Sequence, residues 1–168
     1  AKWQKGDASA AKMLVHLFNS SLVLFFRNKT NQQDSEDLKQ QVWLELAKSR
    51  PTEIPSGLKA YLLGIARHVL LHYWDKKKRV PVWDPLTTSL ADLDISLSQK
   101  VAQRFGARNL LSILRRLPID DQVLLESRYL HEMSTAELAA MYAVPEGTIK
   151  SRLSHARKRL AAAMPMGN

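Results

Sequence analysis

Apolar positions recur along this chain mainly at helical spacing. Leu14, Leu17/Phe18, Ser21/Leu22 and Phe25 keep one face of a first predicted helix. A second is predicted over 34–49, with Leu38, Val42 and Leu46 stacked at i, i+4 and acidic residues at its start. Residues 51–57, PTEIPSG, read as a rigid non-helical loop. A third helix is predicted from 58 to about 78, apolar at Leu58, Tyr61/Leu62, Ile65 and Val69, ending in Lys76, Lys77, Lys78 and Arg79. The texture then changes. Residues 80–97 carry Pro81, Pro85, a Ser/Thr cluster and Asp84, Asp92 and Asp94, the composition of a linker. Helical signal resumes by Val101. A stripe of Leu110, Leu114 and Leu117 stops at Pro118, and Asp120 opens a further helix to about Leu130. The pattern predicts an all-α chain of two small helical domains, 10–79 and 101–164, joined by a linker over 80–100.

The C-terminal domain is expected to contain a helix-turn-helix. Ser134-Thr135-Ala136-Glu137 fits the S-x-x-E capping box, so a helix should start at Ser134. Leu138 and Met141 follow on its buried side, and Ala139 is small where two helices approach. Pro145 suits the first turn of the next helix, and Glu146 complements its dipole. Winding that helix at about 100° per residue puts Ile149, Leu153, Ala156 and Leu160 on one narrow stripe. Ser151, Ser154, His155 and Lys158 fall opposite, with Lys150, Arg152, Arg157 and Arg159 on the flanks. An apolar keel under a cationic, hydrogen-bonding face suits a DNA major groove: long cations reach phosphates, shorter polar groups reach base edges. The competing reading is a helical hairpin whose basic face is merely solvated.

Composition favours the first reading. The 168 residues carry a formal net charge of +9, which points to a polyanionic partner, nucleic acid before membrane. There is no cysteine, which excludes disulfides and thiolate zinc sites and is compatible with a reducing cytoplasm. The one candidate membrane segment, 13–26, reads as too short to span a bilayer and is interrupted by His16, Asn19, Ser20 and Ser21, so no membrane insertion is expected. No small-residue cleavage site follows it, so it is not read as a signal peptide. The chain opens on Ala1 rather than methionine, so the expectation is that residues are missing or added at that end. No nucleophile motif, phosphate-cradling glycine loop or HExxH is present. His68 and His72 stand at i, i+4 but lack a third ligand nearby, so no metal site is expected. Asp120-Asp121 fits a helix's first turn better than an active site. No catalytic residue, cofactor or enzyme activity is expected.

Several segments then resemble one family. Asp34-Ser35-Glu36-Asp37-Leu38, followed by Gln40, Val42 and Trp43, is similar to the second helix of bacterial RNA polymerase sigma factors. Ile65-Ala66-Arg67 leading to Tyr73 and a basic run resembles the helix that follows it. Leu117-Pro118, Arg128-Tyr129, Glu137-Leu138-Ala139, the run Gly147-Thr148-Ile149-Lys150-Ser151-Arg152-Leu153 and Ala156-Arg157 resemble sigma domain 4. Two domains joined by a short linker match the extracytoplasmic-function group, and the resemblance covers roughly 14–164.

The resemblance implies a cytoplasmic factor that binds core RNA polymerase and directs promoter-specific initiation. Asp37, Gln40, Gln41 and Trp43 would dock on the polymerase, although Trp43 also fits plain core packing. The loop over 50–57, with Arg50 and Ser56, would capture a flipped base of the minus-ten element. Arg67, His68, His72, Tyr73, Lys76 and Lys77 would hold DNA along and beyond the third helix. Thr148, Lys150, Ser151, Arg152, Ser154, His155, Arg157 and Lys158 would read the minus-thirty-five element. The linker would thread toward the active-site cleft and RNA exit path. Promoter DNA, core polymerase and an anti-sigma factor or other inhibitor are the implied partners. The chain also departs from the family pattern. Gln41 replaces a usual Glu, His68 a common Asn, His72 a common Asp, and Ala143 a usual turn Gly; Ser154 and His155 are short where longer cations are frequent. Two other readings stay open: a stand-alone helix-turn-helix regulator, and a sigma-like decoy that sequesters an anti-sigma factor.

Overall fold

The computed structural model describes residues 7–27, 29–49, 57–77 and 112–164. Its helices are α1 (Ala8–Arg27), α2 (Gln32–Ser49), α3 (Leu58–Lys77), α4 (Ile119–Tyr129), α5 (Thr135–Tyr142) and α6 (Glu146–Ala163), with a helical turn at 112–114. No strand occurs among the described residues, as the all-α reading expects. The chain divides into two compact units, the first built on α1, α2 and α3, the second mainly on the helices that follow. The predicted linker, 80–100, lies outside the described residues.

In the first unit, local caps set the helix starts. The Asp7 carboxylate accepts the backbone N–H groups of Ser9 (2.9 Å) and Ala10 (3.2 Å), taking up donors at the start of α1. Asn31 does the same for α2: its Oδ1 accepts the Asp34 N–H at 2.8 Å while its amide donates to the Asp34 carboxylate at 2.9 Å. The helix therefore begins two residues before the predicted 34. Gly57, at φ +82°, takes a left-handed conformation at the entry to α3, where a side chain would be strained. The core comprises Leu22, Phe25 and Phe26 of α1, Leu38, Val42 and Leu46 of α2, and Leu62, Leu63, Ala66, Val69 and Leu70 of α3. The α2 stripe is the one expected. On α3 the buried arc is wider, because this helix packs against both α1 and α2. Leu58, Tyr61 and Ile65 are only half-buried.

The expected face of α1 holds only in its last two turns. Leu14 and Phe18 are half-buried, and Leu17 is 58% exposed, beside Met13 at 66%. The length argument also needs correction: α1 has 20 residues and is long and apolar enough, by length and composition alone, to cross a membrane. Its C-terminal half is nonetheless core, with Leu22, Phe25 and Phe26 completely buried.

In the second unit, Ile113, Leu114, Leu117, Val123, Leu124, Leu125, Met133, Leu138, Ile149, Leu153 and Ala156 are buried, each leucine, isoleucine or valine contributing about 2 kcal/mol. Pro118 precedes α4 and its carbonyl accepts from Asp121 (2.9 Å) and Gln122 (3.1 Å), so the helix opens one residue before Asp120. Asp120 and Asp121 sit in its first turn, where the helix dipole favours negative charge. The α4–α5 connection is held by the Arg128 guanidinium, which donates to the Met133 carbonyl at 2.9 Å.

Candidate nucleic-acid interface

The α5–turn–α6 segment forms a helix-turn-helix whose sequence fixes each joint. Ser134 is the N-cap of α5: its Oγ accepts the Glu137 N–H at 3.1 Å, and the Glu137 carboxylate accepts from the Ser134 N–H at 2.8 Å. That reciprocal pair is the predicted capping box. At the far end of α5, Ala143 has φ +51°, and the Val144 N–H reaches back to the Ala139 carbonyl at 3.0 Å. This is a Schellman closure with alanine at the left-handed position that glycine usually occupies. Pro145 lies one position earlier than expected. Its ψ of 148° is extended, so it caps α6 rather than joining the first turn, and its carbonyl accepts from Thr148 at 2.9 Å. A contact that sequence reasoning missed links the two helices directly. The Thr135 hydroxyl donates to the Glu146 carboxylate at 2.5 Å.

The faces of α6 follow the predicted winding except at Leu160, which the winding puts on the keel and which is only half-buried. Ile149, Leu153 and Ala156 are buried, while Lys150, Ser151, Arg152, Ser154, His155, Arg157 and Lys158 are exposed and Thr148 is half-buried. The structure then sorts the cations. Lys150 pairs with Glu146 at 3.3 Å, and Arg159 with Asp121 at 2.5 Å, tying the C-terminal half of α6 to the start of α4. Arg157 Nε donates to its own helix, to the Leu153 carbonyl, at 3.1 Å. Lys158 has no ion pair among the described residues. The Glu146 carboxyl is held below its ordinary pKa, first by the Thr135 hydroxyl and then by Lys150.

On α2, Asp37, Gln40 and Gln41 are exposed, as is Leu44, and Trp43 is half-buried. On α3, His68, His72 and Lys76 are exposed and Arg67 is half-buried. Tyr73 and Lys77 are not simply solvated. The Tyr73 hydroxyl donates to the Asp34 carboxylate, and the Lys77 ammonium donates to the same oxygen and to Tyr73 Oη, each at 2.7 Å. Hydrogen bonds from Lys77, then Tyr73, hold the Asp34 carboxyl below the usual range. Burial, then Asp34, pushes the Tyr73 phenol up, and Asp34, then Tyr73, raises Lys77. Arg50, Ser56 and the rest of the predicted base-capturing loop up to 56 lie outside the described residues. Among the described residues no group of three potential metal ligands forms around the His68/His72 pair or elsewhere.

Comparison with known proteins gives a consistent result. Residues 21–80 match the model of sigma-70 region 2, and residues 107–160 match sigma-70 region 4. The chain is 27% identical over 136 residues to the ECF RNA polymerase sigma factor SigX of Bacillus subtilis (strain 168), spanning 76% of this chain and 69% of that protein. Its fold is similar to that of CnrH, solved in complex with the cytosolic domain of CnrY, with a TM-score of 0.68 at 18% identity, over 96% of this chain and 92% of that one. It is also similar to the sigma factor RpoE, solved with the anti-sigma factor NepR from Bartonella quintana: TM-score 0.64, 23% identity, 90% of this chain and 94% of that one.

Proposed function

This chain belongs to the sigma-70 family, in its extracytoplasmic-function group, and on that premise we propose how its residues divide promoter recognition. As a sigma factor it binds core RNA polymerase and gives it promoter specificity. Factors of this family act by binding rather than by covalent chemistry, so the physical question is where binding energy is placed.

In our reading, α6 enters the major groove of the minus-thirty-five element. The observation that carries this is its two-sided surface: a buried keel of Ile149, Leu153 and Ala156 under an exposed row of Lys150, Ser151, Ser154, His155 and Lys158. Thr148, Arg152 and Arg157 belong to the same face. Phosphate contacts would supply affinity and salt dependence, and the short polar groups base discrimination. The first unit would serve the minus-ten element. Arg50 and Ser56 belong to the base-capturing loop, and Arg67, His68, His72 and Lys76 to the DNA-holding helix. Tyr73 and Lys77 would contribute less, because Asp34 already engages both. Asp37, Gln40 and Gln41, exposed beside Leu44, fit the polymerase-docking surface, with Trp43 bracing it from a half-buried position. Domains over 10–79 and 101–164 with a linker at 80–100 complete the assignment. A cytoplasmic location follows from work on the polymerase. Inhibition by an anti-sigma factor fits a strongly basic protein with two DNA-reading surfaces, and both structural relatives were solved with a partner.

The test is run-off transcription with core polymerase and a fragmented genomic library. Discrete transcripts that vanish without the protein support the reading. A folded protein that gives core polymerase no specific initiation refutes it; DNA binding without polymerase would then indicate a stand-alone regulator, and anti-sigma binding alone a decoy.

A further inference from the structure

We infer that Glu146 is a positioning residue that commits Lys150 to a base edge of the upstream promoter element rather than to a phosphate. The inference rests on α6 being the groove-reading helix, and it concerns how that helix spends its cations. Lys150, on the flank of α6, and Lys158, on its outer face, are both exposed lysines two turns apart. Their surroundings differ. Lys158 has no acidic partner among the described residues. Lys150 lies 3.3 Å from Glu146, with its side chain still 66% exposed.

Glu146 is not a loose surface carboxylate. Its Oε1 accepts the Thr135 hydroxyl from α5 at 2.5 Å, and the same oxygen faces Lys150. The carboxylate is therefore tied to the neighbouring helix by a hydrogen bond on the same oxygen that faces the lysine. An anchored carboxylate does two things to the ammonium beside it. It brings the local net charge near zero, which removes the attraction that sends an isolated lysine to a phosphate. It also repels phosphates directly, while a base edge carries no net charge to repel. An ammonium has three donors, so one bond to Glu146 leaves two for acceptors such as guanine O6 and N7. Placement agrees: Lys150 lies near the N-terminal end of α6, the part of a recognition helix that contacts base edges. Arg159 represents the opposite use, spent on Asp121 to hold α6 against α4.

The experiment uses holoenzyme and a promoter selected by the wild-type protein from a randomised library, reading binding against salt and against single base-pair changes. Lys150→Ala should leave the salt slope unchanged and flatten the preference at one upstream base pair by roughly tenfold. Glu146→Gln retains an acceptor for Thr135 but releases the lysine. It should steepen the log–log salt slope by about one unit and weaken the preference at that same base pair. Adding Lys150→Ala to Glu146→Gln should return the slope to wild type, a reversal that loss of helix packing would not produce. A slope that falls by about one unit in Lys150→Ala alone overturns the inference, as does a Glu146→Gln protein with unchanged slope and preference. If the wild-type holoenzyme selects no promoter, the reading of α6 fails and the inference with it. Selection followed by either overturning result removes the inference alone.

Discussion

Ala143→Gly offers a quantitative check on the turn that joins the two helices of the DNA-reading unit. Ala143 sits at φ +51°, where an L-residue's Cβ crowds the backbone at a cost of about 1–2 kcal/mol. Glycine removes that cost but gives the unfolded chain more freedom, returning about 0.4–1 kcal/mol. The difference leaves a net stabilisation of about 0.5–1 kcal/mol. For a unit of 60–100 residues, that corresponds to a rise in Tm of about 2–8 °C. Far-UV circular dichroism of the full chain reads the transition. The first unit provides an internal control, because Trp43 and Trp74 lie on α2 and α3 and none of the four tryptophans lies on α4, α5 or α6. Tryptophan emission should therefore report an unchanged first unit while the second becomes more stable. Ala143→Val, with a branched Cβ in the same conformation, should move Tm the other way. A glycine variant with unchanged or lower Tm would refute the claim that the turn is strained.

The first unit should show a pH plateau set by Asp34, Tyr73 and Lys77. Asp34 is lowered from 3.8, so its contribution is present above that value and lost as pH falls through the lower folded one. Tyr73 and Lys77 are raised from 10.0 and 10.5, so theirs is present below those values and lost as pH rises through the folded ones. Asp34→Asn should cost about 0.5 kcal/mol at neutral pH, discounted for solvent contact, and flatten the acid limb in tryptophan-monitored urea titrations. Lys158→Ala should lower the salt slope of promoter binding by about one unit. Arg159→Ala should leave that slope unchanged and cost about 0.5–1 kcal/mol of second-unit stability, because its guanidinium is engaged by Asp121.

Much of this architecture was legible where both partners of an interaction lie within one helical turn. The Ser134–Glu137 capping box is such a case, and so is the keel of Ile149, Leu153 and Ala156, which periodicity alone defines. The contacts that sequence reading missed join residues far apart: Tyr73 to Asp34 across 39 positions, Arg159 to Asp121 across 38, Thr135 to Glu146 across 11. A polar residue's type says that it needs a partner, not which one the fold supplies. These pairings distinguish the exposed cations of α6 from one another, Lys150 and Arg159 being ion-paired and Lys158 not among the described residues, a distinction that helical winding does not carry. Apolar periodicity has a matching limit. It marks which side of a helix is apolar, but burial ends where the neighbouring helices end, and so Leu17 is exposed while Leu22 is not.

The central claim is that α6 reads one promoter element and the first unit another, on behalf of core polymerase. Run-off transcription from a library randomised at both elements tests it most directly, comparing the wild-type protein with Ser151→Ala and His68→Ala. The account predicts two separated preferred elements for the wild type. Ser151→Ala should change only the upstream preference, and His68→Ala only the downstream one. Transcripts with a single preferred element, or a Ser151→Ala protein whose downstream preference shifts instead, would contradict it.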